Sequence, residues 1–233
     1  SEEMQTKEFG FGLEGVLHKR RNCVFGILNG LDYSIWNPQT DRFIAKNYSP
    51  KNLEDKAKDK EDLQKACNLP PKLDIPLFGI VSRLAEQKGF DILAQAIEEI
   101  CKMHLQMVIL GTGDEKYHLL LQDIVKRYPK VISLNLKFDD PMAHKIYAGS
   151  DIFLMPSKYE PCGLGQLISL RYGTIPLVFK TGGLADVSGA LPIAINNLGT
   201  GHKCSVVLPL YQMVRESGFQ PKLVRREKIR LGS

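Results

Sequence analysis

Residues 75–111, IPLFGIVSRLAEQKGFDILAQAIEEICKMHLQMVILG, hold the fold in miniature. An apolar run, IPLFGIV, enters a short basic loop, SRLAEQKG, and a helix-like stretch, GFDILAQAIEEICKMH, follows before a second apolar run, QMVILG. The apolar runs have strand length, while the stretch between them repeats its apolar positions at helical spacing. The alternation continues downstream: VISLNL, DIFLMP and IPLVF read as strands, and EKYHLLLQDIVKRY, PMAHKIYAG and GQLISLRYG as helices. Continuously apolar strands separated by amphipathic helices predict a parallel sheet covered on both faces. The fold class is therefore α/β and Rossmann-like, with ligands expected at the carboxyl ends of the strands.

Outward from this core the pattern weakens. Upstream, EFGFGLEGVL is glycine-spaced and aromatic, a loop leading into a short helix, and NGLDYSIWNP carries Asn-Gly, Asn-Pro and the single Trp, an ordered loop. SPKNLEDKAKDKEDLQKACNL predicts a charged helix with Ser49 or Asn52 near its N-cap, ending before Pro70-Pro71. Downstream, SGALPIAINNLGTGHK reads as a helix and turn and CSVVLPLY as a strand, followed by a basic, weakly patterned end. This divides the chain into a linker-like and helical lead-in (1–69), a Rossmann-like domain (70–187) and an atypical tail (188–233).

Composition sets the outer bounds. The chain has 233 residues, 43% hydrophobic and 24% charged, an ordinary globular balance with room for one sizeable core. The net charge of +5 allows weak steering of anions. Basic residues cluster only at Lys222, Arg225, Arg226, Lys228 and Arg230, with no aromatic platform beside them, so no nucleic-acid partner is expected. The five cysteines are odd in number and never form a CxxC pair, which argues against a disulfide framework or zinc site. No run approaches the roughly 18 apolar residues of a membrane span, and no signal peptide is read at the start. A cytoplasmic location is the expectation, and a chain starting at Ser1 is compatible with a fragment.

Four loops could carry chemistry, each following a strand. In SRLAEQKG, Arg83 offers a bidentate fork and Lys88 a point charge beside a helix N-terminus, an arrangement suited to phosphate; two solvated loop cations are the alternative. In GTGDEKYH, Gly111 and Gly113 allow close backbone approach to a ligand or simply tighten the turn, and Asp114 is a helix cap or dipole partner. In SKYEPCGLGQ, Glu160 can accept hydrogen bonds from sugar hydroxyls, with Cys162, Gly163 and Leu164 at a helix start behind it; a capping acid is the alternative. In KTGGLADV, Thr181, Gly182 and Gly183 expose backbone donors. His144 lies on the helix face MAHKIY, where a packed or surface histidine is commoner than a catalytic one. No zincin motif, Ser-His-Asp grouping or metal spacing is present, and nothing suggests a covalent nucleophile.

EFGFGL, NGLDYSIWNP, SRLAEQKG, LGTGD, MPSKYEPCGLGQ, RYGTIPLV and TGGLAD together resemble, in order, the bacterial glycogen synthases and plant starch synthases, over about residues 8–187. The resemblance implies one half of a two-domain glycosyltransferase fold of the GT-B type, the donor-binding carboxyl domain. It implies transfer of glucose from ADP-glucose to an α-1,4-glucan with retention, without metal or cofactor, in the cytoplasm or, in a plant, the plastid stroma. Carried over by residue, Arg83 and Lys88 would bind the donor diphosphate and stabilise the departing ADP, and Glu160 would fix the glucose ring. Cys162–Leu164 and Thr181–Gly183 would hold sugar and phosphate oxygens, and Gly111, Gly113, Asp114, Phe138 and His144 would lie on the donor side.

Three departures accompany the resemblance. Phe138 stands where the family usually has a Tyr stacked on adenine, and Ile168 stands where related enzymes carry a second glutamate eight residues after Glu160. After TGGLADV the chain continues like the start of the family's amino domain, as if two halves were joined at Lys180–Val187, a loop both share. Most of the acceptor-binding amino domain is therefore expected to be absent, and the isolated chain is expected not to lengthen a glucan. A non-catalytic nucleotide-sugar-binding fragment or chimera, and a UDP-sugar-dependent retaining transferase, are the alternatives.

Overall fold

A computed structural model describes residues 3–7, 10–26, 30–160 and 162–178. The chain divides into two units, Ser1–Val187 and Ser188–Ser233. The expected elements of the tail, the Lys180–Val187 loop, and Thr181, Gly182 and Gly183 lie outside the described residues.

Five strands form one parallel sheet in the order β3-β2-β1-β4-β5. They are β1 (Leu77–Val81), β2 (Gln106–Leu110), β3 (Ile132–Asn135), β4 (Ile152–Met155) and β5 (Ile175–Val178). Between them run α3 (Phe90–Lys102), α4 (Glu115–Arg127), α5 (Asp140–Gly149) and α6 (Leu164–Arg171); α1 (Glu14–Lys19) and α2 (Lys56–Ala66) precede the sheet. Every strand and helix read from residues 75–178 is thus found. The order makes β1 the pivot. The chain steps outward from β1 to β2 and β3, then crosses back through α5 to lay β4 against the other side of β1, pairing Phe78 with Ile152 and Gly79 with Phe153. The carboxyl ends of β1 and β4 are therefore the topological switch point, where α/β sheets open a crevice for ligands.

Two cores flank the sheet. On one side Phe90, Leu93, Ile97 and Cys101, one stripe of α3, join Ile80, Met107 and Ile109 from the strands and Tyr117, Leu121 and Ile124 from α4. On the other, Ala143, Ile146, Tyr147 and Ala148 of α5 pack with Leu77, Val108 and Phe153. The lead-in enters this second core: Tyr48, Leu63, Cys67 and Leu69 are buried in it, so residues 30–69 are part of the same packed body. The charged helix starts at Lys56, directly after a 3-10 turn (Leu53–Asp55) whose N-cap is Asn52. Asn52 also closes the preceding loop, its side-chain Oδ1 accepting from the Ser49 backbone N–H at 2.9 Å.

Candidate functional site

At the switch point the β1–α3 and β4–α6 loops meet around a cavity of about 210 Å³. Arg83 and Lys88 line it from the first loop, and Ser157, Glu160 and Cys162 from the second. Leu164 and Gly165 open α6 at its edge, and Tyr147, Phe90 and Met155 supply its apolar floor. Two cations and a carboxylate thus converge on one pocket from residues more than seventy positions apart in the chain.

The close approach of the two loops explains a sequence choice. Gly89 sits at φ 76°, between a short 3-10 turn (Glu86–Lys88) and α3, and a β-carbon there would lie 1.9 Å from the Pro156 carbonyl oxygen. Only glycine tolerates both the left-handed backbone and that contact. The Lys88 Nζ lies 2.7 Å from Glu160 Oε2, which also accepts from the Ser157 hydroxyl at 3.2 Å. Glu160 is 9% exposed, and a carboxylate so removed from water requires such partners. Arg83 is exposed and donates to Gln87 Oε1 at 3.1 Å, leaving the rest of its fork open.

A second set of contacts ties the loops together. The Lys158 N–H donates to the Gln87 carbonyl at 3.1 Å, and Lys158 Nζ reaches Asp91 Oδ2 at 2.6 Å and Glu86 Oε1 at 3.2 Å. The hydrogen bond from Lys158 holds the Asp91 carboxyl below the usual carboxylate range. Beneath the pocket, burial and then the charge of Glu160 push the Tyr147 phenol upward, so this ring stays protonated and uncharged. Ser157, Tyr147 and Lys158 were not singled out in the sequence. Ser157 and Lys158 adjoin Glu160 in the quoted loop, whereas nothing in the α5 pattern distinguishes Tyr147 from its core neighbours.

Gly111, Gly113 and Asp114 do not line this cavity. A β-carbon on Gly111 would fall 1.8 Å from the Ser82 carbonyl oxygen, and one on Gly113 2.2 Å from that of Leu84. The two glycines let the β2–α4 loop dock backbone to backbone on the β1–α3 loop. Their donors are occupied: Gly111 N–H on Asn135, Gly113 N–H on His118 Nε2, Asp114 N–H on Leu84. Asp114 takes the N-cap position of α4 without a side-chain cap hydrogen bond. Phe138 stands after β3, 97% exposed and outside the cavity lining.

His144 is a correction to the donor-side grouping. It is 1% exposed, its Nδ1 is 2.7 Å from Asp41 Oδ2, and its ring stacks on Trp36 with centroids 4.1 Å apart. The Tyr172 hydroxyl donates to the same Asp41 oxygen at 2.5 Å. Its position on α5 turns the ring toward the loop carrying Trp36 and Phe43 rather than toward the strand ends. His144 fastens that loop to the core.

The chain as a whole is similar to known proteins. Residues 75–197 match the family described as glycosyl transferases group 1, and residues 173–231 match the starch synthase catalytic domain. A glycogen synthase of Geotalea uraniireducens is 59% identical over 184 residues, covering 79% of this chain and 38% of that protein. A glycogen synthase of Thermosipho africanus is 54% identical over 186 residues, covering 80% of this chain and again 38% of the relative. The chain therefore spans well under half the length of these relatives. Among solved structures, the catalytic domain of starch synthase IV from Arabidopsis thaliana, bound to ADP and acarbose, aligns with a TM-score of 0.75 at 38% identity, covering 79% of this chain and 38% of that one.

Proposed function

Because this chain belongs to the group 1 glycosyl transferases and is similar to their glycogen and starch synthases, we propose that its pocket binds the donor of a glucosyl transfer from ADP-glucose to an α-1,4-glucan. The observation that carries this reading is the convergence of Arg83, Lys88 and Glu160 on one cavity at the switch point. The ADP in the starch synthase IV complex supports an adenine nucleotide over a uridine one.

The chemistry follows from the residues. Arg83 presents a planar fork and Lys88 a compact charge, both suited to the donor diphosphate. As the glycosidic bond to phosphate breaks, negative charge grows on the departing ADP, and fixed cations there stabilise the transition state more than the ground state. Glu160 accepts hydrogen bonds from glucose hydroxyls and holds the ring. Its ion pair with Lys88 keeps both groups satisfied before the donor arrives, and the incoming diphosphate then takes over part of the Lys88 contact. A cavity of about 210 Å³ suits the sugar–phosphate end of the donor, while the exposed Phe138 ring offers a stacking face for adenine. In this reading Cys162, Gly163 and Leu164, with Thr181, Gly182 and Gly183, contribute to holding sugar and phosphate oxygens. The donor is a substrate, and neither cofactor nor metal takes part. The α-glucan acceptor is the second partner, with the cytoplasm, or the stroma of a plant plastid, as the compartment. No helix among the described residues is long and apolar enough to cross a membrane.

Calorimetric titration with ADP, ADP-glucose and UDP-glucose tests the assignment. Arg83→Ala and Lys88→Ala are each expected to weaken ADP binding at least about tenfold, the loss typical of one charge-assisted hydrogen bond. Unchanged affinity in both variants would overturn the pocket; tighter binding of UDP-glucose than of ADP-glucose would overturn the donor.

A further inference from the structure

The pocket is built from two loops that no covalent proximity holds together. The β1–α3 loop brings the cations Arg83 and Lys88, and the β4–α6 loop brings the carboxylate Glu160. In the proposed reaction the first loop takes the diphosphate and the second the glucose, so the spacing between loops must match the length of one sugar–phosphate unit. Lys88 and Glu160 touch each other, but in the proposed reading the incoming diphosphate takes over part of that contact, so it does not fix the spacing.

Lys158 can. It lies two residues before Glu160 and makes three contacts with the opposite loop and the start of α3. Its N–H donates to the Gln87 carbonyl at 3.1 Å, and its ammonium lies 2.6 Å from Asp91 and 3.2 Å from Glu86. Gln87 in turn accepts from Arg83 at 3.1 Å, so the strand of contacts runs from the Glu160 loop to the Arg83 side chain. Asp91 belongs to the first turn of α3, an element anchored by the buried Phe90 and Leu93, so the latch is tied to a rigid body on that side. Lys158, Gln87, Asp91 and Glu86 do not line the cavity.

We propose that Lys158 is a positioning residue: its ammonium, shared between Asp91 and Glu86, sets the distance between the diphosphate-binding and sugar-binding loops. The proposal rests on the donor-binding reading and makes a prediction that a generally destabilising change would not. ADP presents its phosphates to the pocket without a sugar, whereas ADP-glucose also sets its glucose against Glu160, so loosening the latch penalises ADP-glucose more than ADP.

The test uses the full chain and four proteins: wild type, Lys158→Met, Lys158→Arg and Asp91→Asn. Affinities for ADP and ADP-glucose are measured by calorimetry, and thermal unfolding reports on the fold. In Lys158→Met the preference for ADP-glucose over ADP is expected to fall about threefold, the scale of one or two half-exposed ion pairs, with ADP affinity and the unfolding midpoint near wild type. Lys158→Arg keeps the charge and the reach and is expected to restore the preference; Asp91→Asn, which removes the closer carboxylate, is expected to lower it in part. An unchanged ADP-glucose preference in Lys158→Met, or equal weakening of both ligands, overturns the latch. If wild type binds neither ligand, the donor-binding reading falls and the latch with it. If wild type binds both and only the preference stays fixed, the latch alone falls.

Discussion

At the level of single residues, the buried polar groups divide into those that serve the pocket and those that serve the fold. Glu160 is satisfied by Lys88 and Ser157 within the cavity wall, whereas Asp41 is satisfied by His144, Tyr172 and the Phe43 N–H deep in the core. Burial alone would raise the Asp41 carboxyl, but these hydrogen bonds outweigh it and hold it below its ordinary value of 3.8. A carboxyl depressed in the folded state stabilises the protein fully above its unfolded value and ceases to do so as the pH falls through the lower, folded one. Asp41→Asn is expected to cost about 2 kcal/mol at neutral pH and to flatten the loss of stability below pH 3.8 expected of wild type. Urea unfolding at pH 7 and at pH 3 measures both; an equal acid-induced loss in variant and wild type would refute the role given to Asp41. His144 shows the limit of reading one residue at a time. The helix face MAHKIY favours a packed or surface histidine over a donor-side one without separating the two, and the Trp36 ring stacked on it decides for the core.

Elements bring a different kind of constraint, because the two site loops close on each other across Gly89. Gly89→Ala places a β-carbon 1.9 Å from the Pro156 oxygen and a side chain at φ 76°. It is expected to cost at least about 2 kcal/mol and to weaken ADP binding by moving Lys88. Ile97→Ala makes the contrast: Ile97 is 1% exposed in the core under α3, so truncation is expected to cost about 3 kcal/mol while the folded protein keeps its ADP affinity. Thermal unfolding paired with titration separates the two; full ADP affinity in Gly89→Ala would mean the loop contact is irrelevant to the pocket. The glycines at 111 and 113 belong to this scale as well. Their spacing fits either a ligand loop or a structural turn, and the Ser82 and Leu84 carbonyls of the adjoining loop beside them show the structural role. The periodicity of α3, α4 and α5 and the apolar runs of all five strands were legible in the sequence, because each is a local pattern repeated within about a dozen residues.

For the molecule as a whole, the proposed reading gives the described pocket the donor, and the resemblance assigns the acceptor to an amino domain. Glucosyl transfer needs the acceptor hydroxyl held against the donor with water excluded. The isolated 233-residue chain is therefore expected to bind ADP-glucose without transferring glucose. Incorporation of labelled glucose into a maltooligosaccharide by this chain would contradict that. The sequence by itself determined the α/β class, the parallel sheet, the placing of basic and glycine-rich loops after the strands, and the family to which those loops belong. Each of these rests on local spacing or on motifs read in order. Which loops meet was decided by tertiary structure alone. β4 pairs with β1 and not with β3, its predecessor in the chain, and that return crossing brings Glu160 to Lys88 across 72 residues. The pairing depends on how α5 packs on the sheet, a contact between remote surfaces that no local pattern contains. The same packing turned His144 inward and set Lys158 across the mouth of the two loops, while the β1–β2 pairing gave Gly111 and Gly113 a loop to dock against.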